Sequence, residues 1–105
     1  MRRLGRTGHA DGNQVQIVAA LRKAGASVLV LSGQGFGCFD LLVGFHGQDF
    51  PMELKNGALS PSKRLLTDRE IEFSKNWRGR PIAVVESVDE ALGVIGVLTQ
   101  DVGSR

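Results

Sequence analysis

The sequence predicts one α/β domain whose mixed β-sheet of about four strands is flanked by helices. Its 105 residues are 42% hydrophobic, which suits one domain with one buried core. Hydrophobic patterns of helical and strand type follow one another in the order α-β-β-β-α-β-α. A single cysteine excludes a disulfide framework and a four-cysteine zinc site. No apolar run approaches the roughly 20 residues that cross a bilayer, so we expect a cytoplasmic protein without membrane contact.

The first helix and strand follow residues 1–10, an arginine-containing stretch without periodicity that we expect to be a flexible basic arm. From Asp11, apolar residues recur near helical spacing as far as Leu21, and Gly25 is a suitable C-terminal cap. The β-branched run 28–31 predicts a short buried strand.

Two further strands, over residues 39–45 and 50–55, are predicted to form a hairpin with a turn at 46–49. Pro51 has no amide hydrogen for a ladder, which places it at a sheet edge or at the start of its strand. The glycine-rich loop 33–37 leads into a strand rather than a helix, which disfavours a nucleotide-binding loop.

The C-terminal part of the chain contains two capping boxes, each of which predicts the beginning of a helix. The first, Thr67–Glu70, begins a helix that runs to about Trp77. Phe73 and Trp77 are expected to lie in the core rather than to form a surface for stacking bases. The second capping box, Ser87–Glu90, begins a helix that runs to about Leu98.

A strand at 81–85 lies between these two helices. A strand, a helix and a further strand predict a right-handed crossover and a parallel pair, whereas the hairpin predicts antiparallel pairs. The sheet is therefore expected to be mixed. The domain is expected to span residues 11–98, and residues 99–105 to form a flexible tail.

Three charged residues, Asp40, Glu53 and Lys55, interrupt the predicted hairpin strands. A carboxylate among apolar residues is costly unless it is paired or bound to a cation. Glu53 and Lys55 share one face of a strand because they are two residues apart, and the hairpin places Asp40 beside Glu53. Two such carboxylates suit Mg²⁺ or Mn²⁺, and without metal one carboxyl pKa should rise. The alternative is an ordinary ion pair on an edge strand.

These residues resemble the signature of the PD-(D/E)xK nucleases, in the form Asp40…Glu53-Leu54-Lys55. The order of helix, three strands, helix and strand is similar to the restriction-endonuclease-like fold of that superfamily. More narrowly, the chain resembles the small VRR-NUC and Holliday-junction-resolvase-like nucleases of phages and prophages. The segments that carry this similarity are Asn13–Val18, Ala24–Ala26, Gly37–Gly44, Glu53–Gly57, Leu66–Thr67, Trp77–Gly79 and Val85–Leu92.

The resemblance implies a metal-dependent phosphodiesterase that acts on DNA. It makes Asp40 and Glu53 ligands of Mg²⁺ or Mn²⁺, together with the backbone carbonyl of Leu54. It also makes Lys55 the catalytic lysine.

The chain departs from the family pattern at two places. Phe39 stands where the family usually has a proline before the aspartate. Many members have a glutamate on the first helix that helps to hold the metal, and the nearest candidates here are Asp11 and Gln14. Because it has fewer charged ligands than those family members, the site is expected to bind metal more weakly than theirs. Asp11 is a candidate ligand.

Basic residues are concentrated in the middle of the chain, although the formal net charge is only +2. Residues 55–80 hold seven of the 13 basic residues and three of the 11 acidic ones. This distribution indicates either a polyanionic partner or a solvated charged surface. The candidate DNA contacts are Gln14, Gly35, Lys63, Arg64 and Arg69.

The expected function is a metal-dependent endodeoxyribonuclease that selects branched DNA such as four-way junctions. Symmetric cutting of a junction needs two active sites, so we expect a homodimer. The alternative is a catalytically weak or degenerate DNA-binding or assembly module of the same fold. A third interpretation, a nucleotide-hydrolysing domain, requires nucleotide binding at the glycine-rich loop.

Overall fold

The computed structural model of the chain describes residues 11–56, 62 and 65–97. For Asp11 only the backbone is described, so its role as a metal ligand stays a prediction. The other expectations that fall outside the described residues are the arm 1–10, the DNA contacts Lys63 and Arg64, and the tail 99–105.

Within the described residues, three helices and four strands follow one another in the predicted order α-β-β-β-α-β-α. The helices are α1 (Asp11–Lys23), α2 (Asp68–Asn76) and α3 (Val88–Val94). The strands are β1 (Ser27–Val30), β2 (Leu41–Phe45), β3 (Gln48–Leu54) and β4 (Ala83–Val85).

The strands form one mixed sheet in the order β1-β2-β3-β4. The pairs β1–β2 and β2–β3 are antiparallel, and the crossover through α2 makes β3 and β4 parallel. The chain therefore has the predicted α/β architecture with a mixed four-stranded sheet.

The hydrophobic core lies on one face of this sheet, against α1 and α3. Leu41 and Met52, which are opposite each other in the β2–β3 register, are both fully buried on this face. Ile17 and Leu21 of α1 and Ala91 of α3 belong to the same buried cluster. Successive side chains alternate across a sheet, so the residues next to Leu41 and Met52 point to the opposite face. That opposite face is the one toward α2.

Strand β1 lies at the edge of the sheet, so the prediction of a buried strand was wrong. Its neighbour in the sheet is β2, and Leu29 and Val30 are 56% and 42% exposed. The guanidinium of Arg22 donates a hydrogen bond of 3.0 Å to the carbonyl of Val28, which occupies a backbone acceptor of this strand. A short β-branched run is as typical of a half-covered edge strand as of a central one, because both pack side chains on a pleated surface.

Pro51 lies in the middle of a central strand, not at an edge or a strand start as predicted. It is buried within β3 and stands opposite Leu42 of β2. The parallel pairing of β3 with β4 begins one residue later, where Met52 stands opposite Ala83. The missing amide hydrogen therefore falls where β4 does not yet pair, and the parallel ladder is not interrupted.

Helix α2 begins as the sequence predicts, but it contributes nothing to the core. The hydroxyl of Thr67 accepts from the amide of Glu70, and the carboxylate of Glu70 accepts from the amide of Thr67, which confirms the capping box. No residue of this fully described helix is buried. The prediction that Phe73 and Trp77 lie in the core was therefore wrong. Both rings pack against Phe39 because α2 lies over the charged face of the sheet.

Helix α3 is shorter than predicted, ending at Val94 rather than near Leu98. Gly96 has φ +88°, a left-handed conformation that ends a helix, which accounts for the earlier end of α3. Ser87 is the N-cap as predicted, and its side chain accepts from the amide of Glu90. Among the described residues, no helix has the length and apolar character needed to span a membrane.

Candidate active site

The β2–β3 hairpin brings the two predicted carboxyl ligands together. Its two-residue turn at 46–47 has φ of +51° and +78°, which matches the twist of a tight hairpin. The resulting register pairs Leu41 with Met52. Asp40 precedes Leu41 and Glu53 follows Met52, so both carboxyl-bearing residues come to the face opposite the core.

Asp40 is held at the entry to β2 by backbone groups of β3. Its amide donates to the carbonyl of Met52 at 3.0 Å, and its Oδ2 accepts from the amide of Leu54 at 2.8 Å. Burial raises the pKa of Asp40, although the amide of Leu54 and a hydrogen bond with Glu53 favour the charged form. The side chain is therefore fixed beside Glu53 in a site that disfavours a second negative charge.

Glu53 is 5% exposed and is the one charged residue in the buried class among the described residues. Burial, a hydrogen bond with Glu70 and the charges of Asp40 and Glu70 raise the pKa of Glu53 to about 9. Lys55, whose Nζ lies 3.6 Å from Oε2 of Glu53, opposes this shift. The sequence predicted a rise in the pKa of one carboxyl, and the pKa values of both Asp40 and Glu53 are raised.

Lys55 is held in place by Glu70, a residue that the sequence did not indicate as part of the site. Its Nζ donates to Oε1 of Glu70 at 3.0 Å, and the same oxygen accepts from the amide of Thr67 at 2.9 Å. Burial disfavours the charged form of Glu70, but hydrogen bonds from Glu53, Thr67 and Lys55 outweigh it and lower the pKa of Glu70. The first turn of α2 therefore supplies the counter-charge for Lys55. The capping box gave the position of Glu70, but not its second partner.

A second missed residue, Asn13, connects α1 to the same end of β3. Its side-chain amide donates to the carbonyl of Lys55 at 3.1 Å. In the sequence, Asn13 is indicated only as the first residue of a segment that carries the family resemblance. Its neighbour Gln14 is half-buried on the same helix. The first helix therefore reaches the site through an amide at Asn13.

The glycine-rich loop before Asp40 packs closely against α2. Gly37 has φ +80°, and a Cβ at this position would overlap the backbone carbonyl of Arg69. Only glycine fits this close approach together with a left-handed backbone. The loop then enters β2 through Phe39, which is 4% exposed, and so leads into a strand as predicted. This packing fixes the direction from which Asp40 enters the site.

Two of the predicted DNA contacts, Gly35 and Arg69, lie at the exposed part of this loop and beside it. Gly35 is at its exposed tip, with open space where a side chain would stand. Arg69 is exposed on α2, and its guanidinium lies 5.7 Å from the ring centroid of Phe36. Gly35 and Arg69 therefore belong to the surface around Phe36.

The donors at the carboxyl pair fit a hard divalent cation. Among the described residues, no group of three histidine, cysteine, aspartate or glutamate side chains is placed to hold a metal ion. Mg²⁺, however, is commonly held by one or two carboxylates and completes its shell with water and phosphate oxygens. The carbonyl of Leu54 stays a predicted ligand, and in an extended strand it leaves β3 on the same side as the amide that binds Asp40.

Space for small polar species lies next to Glu53. A cavity of about 70 Å³ between the sheet and α2 is lined in part by Glu53, Glu70 and Ser74. This volume accommodates about two water molecules. The rest of the cavity lining is apolar or glycine, namely Gly37, Phe39, Leu66, Ile82 and Val84. Comparisons with protein families, with curated proteins and with solved structures gave no match.

Proposed function

We propose that the chain is a metal-dependent endodeoxyribonuclease with a restriction-endonuclease-like fold. The observation that carries the proposal is the arrangement of Asp40, Glu53 and Lys55 on one face of the sheet. Oδ2 of Asp40 is held by the amide of Leu54, the residue after Glu53, and Nζ of Lys55 lies 3.6 Å from Oε2 of Glu53. The order of the elements and the mixed sheet support the same proposal.

Each residue has a distinct task in this proposal. Asp40, Glu53 and the carbonyl of Leu54 hold Mg²⁺ or Mn²⁺. When bound there, the cation polarises a phosphate and lowers the pKa of a water molecule. Glu53 releases its proton to act as a ligand, because the carboxylate is the binding form. Lys55, oriented by Glu70, stabilises negative charge that develops on the phosphate.

Cleavage of supercoiled plasmid and of synthetic four-way junctions tests the proposal. The wild-type protein is expected to cut with Mg²⁺ or Mn²⁺ and not in EDTA. Asp40→Asn and Glu53→Gln preserve size and are expected to abolish cutting. Asp49→Asn is the matched control, since Asp49 is an exposed carboxylate on the same strand.

The alternative is a DNA-binding or assembly module with a degenerate site of the same fold. The ion pair of Lys55 with Glu70 favours it, because the lysine is already neutralised without a substrate. DNA binding that is independent of metal, without cleavage by the wild-type protein, would establish the alternative. Cleavage that disappears in both carboxyl variants would exclude it.

We further propose branched DNA as the substrate and a homodimer as the active form. The described part of one chain holds one candidate site, and two related strands of a junction need two such sites for symmetric cutting. Light scattering with and without a synthetic junction tests the dimer. Comparison of junction, flap and linear duplex in one cleavage assay tests the substrate.

A further inference from the structure

An open hollow of about 520 Å³ lies beside α2, and Glu53 is not among the residues that line it. Its walls are largely aromatic, although an exposed surface usually carries such rings only singly. Phe36 is 80% exposed and Trp77 is 37% exposed. The lining residues are Phe36, Arg69, Glu72, Phe73, Asn76 and Trp77.

The inner aromatic rings of the hollow are held in fixed orientations. Phe73 and Trp77 are nearly parallel, with their centroids 5.8 Å apart and an interplanar angle of 18°. Phe39 meets both rings edge-on, with centroids 6.0 Å from Phe73 and 5.2 Å from Trp77. The indole Nε1 of Trp77 donates to the carbonyl of Arg80 at 3.0 Å. These contacts arrange the aromatic surface before any ligand arrives.

Phe36 stands at the rim of the hollow in a strained backbone conformation. Its φ is +58°, in a region that bulky side chains rarely adopt, and the flanking Gly35 and Gly37 both have φ +80°. An exposed ring gains little from burial that could compensate for this strain. The guanidinium of Arg69 lies over the ring. Backbone strain that folding does not require is typical of functional positions.

The chemistry of the hollow fits one planar aromatic ligand that is attached to an anion. Aromatic faces stack with any nucleobase, and a neighbouring guanidinium attracts the phosphate that the base carries. Glu72 and Asn76 at the rim provide polar groups that an apolar protein segment would leave without partners. The first turn of α2 connects the two sites, because Glu70 contacts Lys55 while Arg69 faces Phe36.

We propose that this hollow binds an unpaired nucleobase of a DNA strand, stacked between the aromatic rings with its phosphate at Arg69. This inference extends the proposed function, on which its role in choosing a substrate rests. An active site beside a pocket for an unpaired base would select DNA with single-stranded or distorted segments over regular duplex.

The fluorescence of Trp77, the only tryptophan of the chain, reports directly on such stacking. A short oligothymidylate, added in EDTA, is expected to quench this fluorescence with saturation. An oligomer of the same length without bases, and regular duplex of the same length, are expected to quench much less. Phe36→Leu should weaken oligothymidylate binding by roughly tenfold, since one stacking ring is lost. Val15→Ala, at an exposed apolar position on α1, is the control and should bind as the wild type does.

Two results would overturn the proposal. Equal quenching by the baseless oligomer would mean that phosphate charge alone is recognised. Unchanged affinity in Phe36→Leu would mean that the hollow does not hold the base. Because EDTA prevents metal-dependent cleavage, this measurement is independent of the nuclease assay. Quenching without plasmid cleavage would refute the nuclease and keep the base pocket, and cleavage without quenching would do the reverse.

Discussion

The face of the sheet against α1 and α3 is apolar where it is buried, whereas the face toward α2 carries a lysine and two carboxyl groups, of which that of Glu53 is buried. On the first face, Leu41, Met52 and Ile17 are fully buried in one continuous cluster. On the second face, Glu53 is 5% exposed and α2, which lies over it, has no buried residue. Two neighbouring residues of one strand, Met52 and Glu53, therefore have opposite surroundings.

The difference indicates how this small domain can hold a destabilising site. Full burial of a large apolar side chain stabilises a fold by roughly 1.5–3 kcal/mol. Burial of a carboxyl group costs free energy unless a proton, a hydrogen bond or a cation neutralises it. Burial on the apolar face therefore offsets the free energy that burial of carboxyl groups costs on the charged face.

The largest loss is expected on the apolar face. Leu41→Ala removes a fully buried side chain of β2 and should lower the free energy of unfolding by about 2–5 kcal/mol. Urea denaturation followed by circular dichroism measures this change. Leu29→Ala, on the exposed edge strand β1, should cost less than about 1 kcal/mol. Similar losses at Leu41 and Leu29 would contradict the difference in burial.

On the charged face, stability is expected to depend on pH through Glu53. The pKa of Glu53 is raised from 4.5 to about 9, so the folded state binds more protons than the unfolded state between these values. The free energy of unfolding therefore falls as pH rises through this window. The raised pKa of Asp40 acts in the same direction. Urea denaturation of the metal-free protein at a series of pH values measures the slope.

The variant Glu53→Gln and the addition of Mg²⁺ separate the contribution of Glu53 from other effects of pH. Glu53→Gln cannot ionise, so its stability should vary less between pH 5 and pH 9 than that of the wild type. With the wild-type protein at pH 8, added Mg²⁺ should raise the melting temperature, since a ligand of the folded state stabilises it. A slope that is the same in Glu53→Gln and the wild type would show that Glu53 does not titrate in this window.

The sequence predicted the hairpin that creates the site, but it placed the turn at 46–49, whereas the structure has a two-residue turn at 46–47 that sets the register of Asp40 and Glu53. It did not predict the partner of Lys55, because Glu70 reaches that residue through the crossover, which no local pattern describes. The edge position of β1 depends on the order of strands in the sheet, which the composition of a single strand does not reveal.

A smaller effect is expected at Glu70, which joins the first turn of α2 to Lys55. Glu70→Gln keeps an oxygen that can accept from Thr67 but removes the charge that pairs with Lys55. The free energy of unfolding should fall by about 1–3 kcal/mol, because the side chains of Lys55 and Glu70 are only 13% and 18% exposed and Lys55 loses its counter-charge. If the chain is a nuclease, kcat should fall by about ten- to a hundredfold with little change in KM, since Lys55 loses its orientation.

Asp68→Asn is the matched control for this variant, because Asp68 is an exposed acid in the same first turn of α2. It should leave kcat unchanged. A general weakening of the helix would lower activity in both variants, whereas a specific role in orienting Lys55 lowers it in Glu70→Gln alone. Equal loss of kcat in the two variants would therefore contradict the positioning role of Glu70.

The smallest effect on stability is expected at Phe36, the exposed ring of the aromatic hollow. Replacing Phe36 with glycine removes the steric cost of the left-handed backbone, which is roughly 1–2 kcal/mol for other residues. It also increases the chain entropy of the unfolded state, which destabilises the fold by roughly 0.5–1 kcal/mol. Because Phe36 is 80% exposed, its removal loses little buried apolar area. The free energy of unfolding of Phe36→Gly should therefore lie within about 1 kcal/mol of that of the wild type. The same variant should lose quenching of Trp77 by oligothymidylate. A large loss of stability in Phe36→Gly would instead make this ring part of the fold, and the strained loop would then need no ligand to explain it.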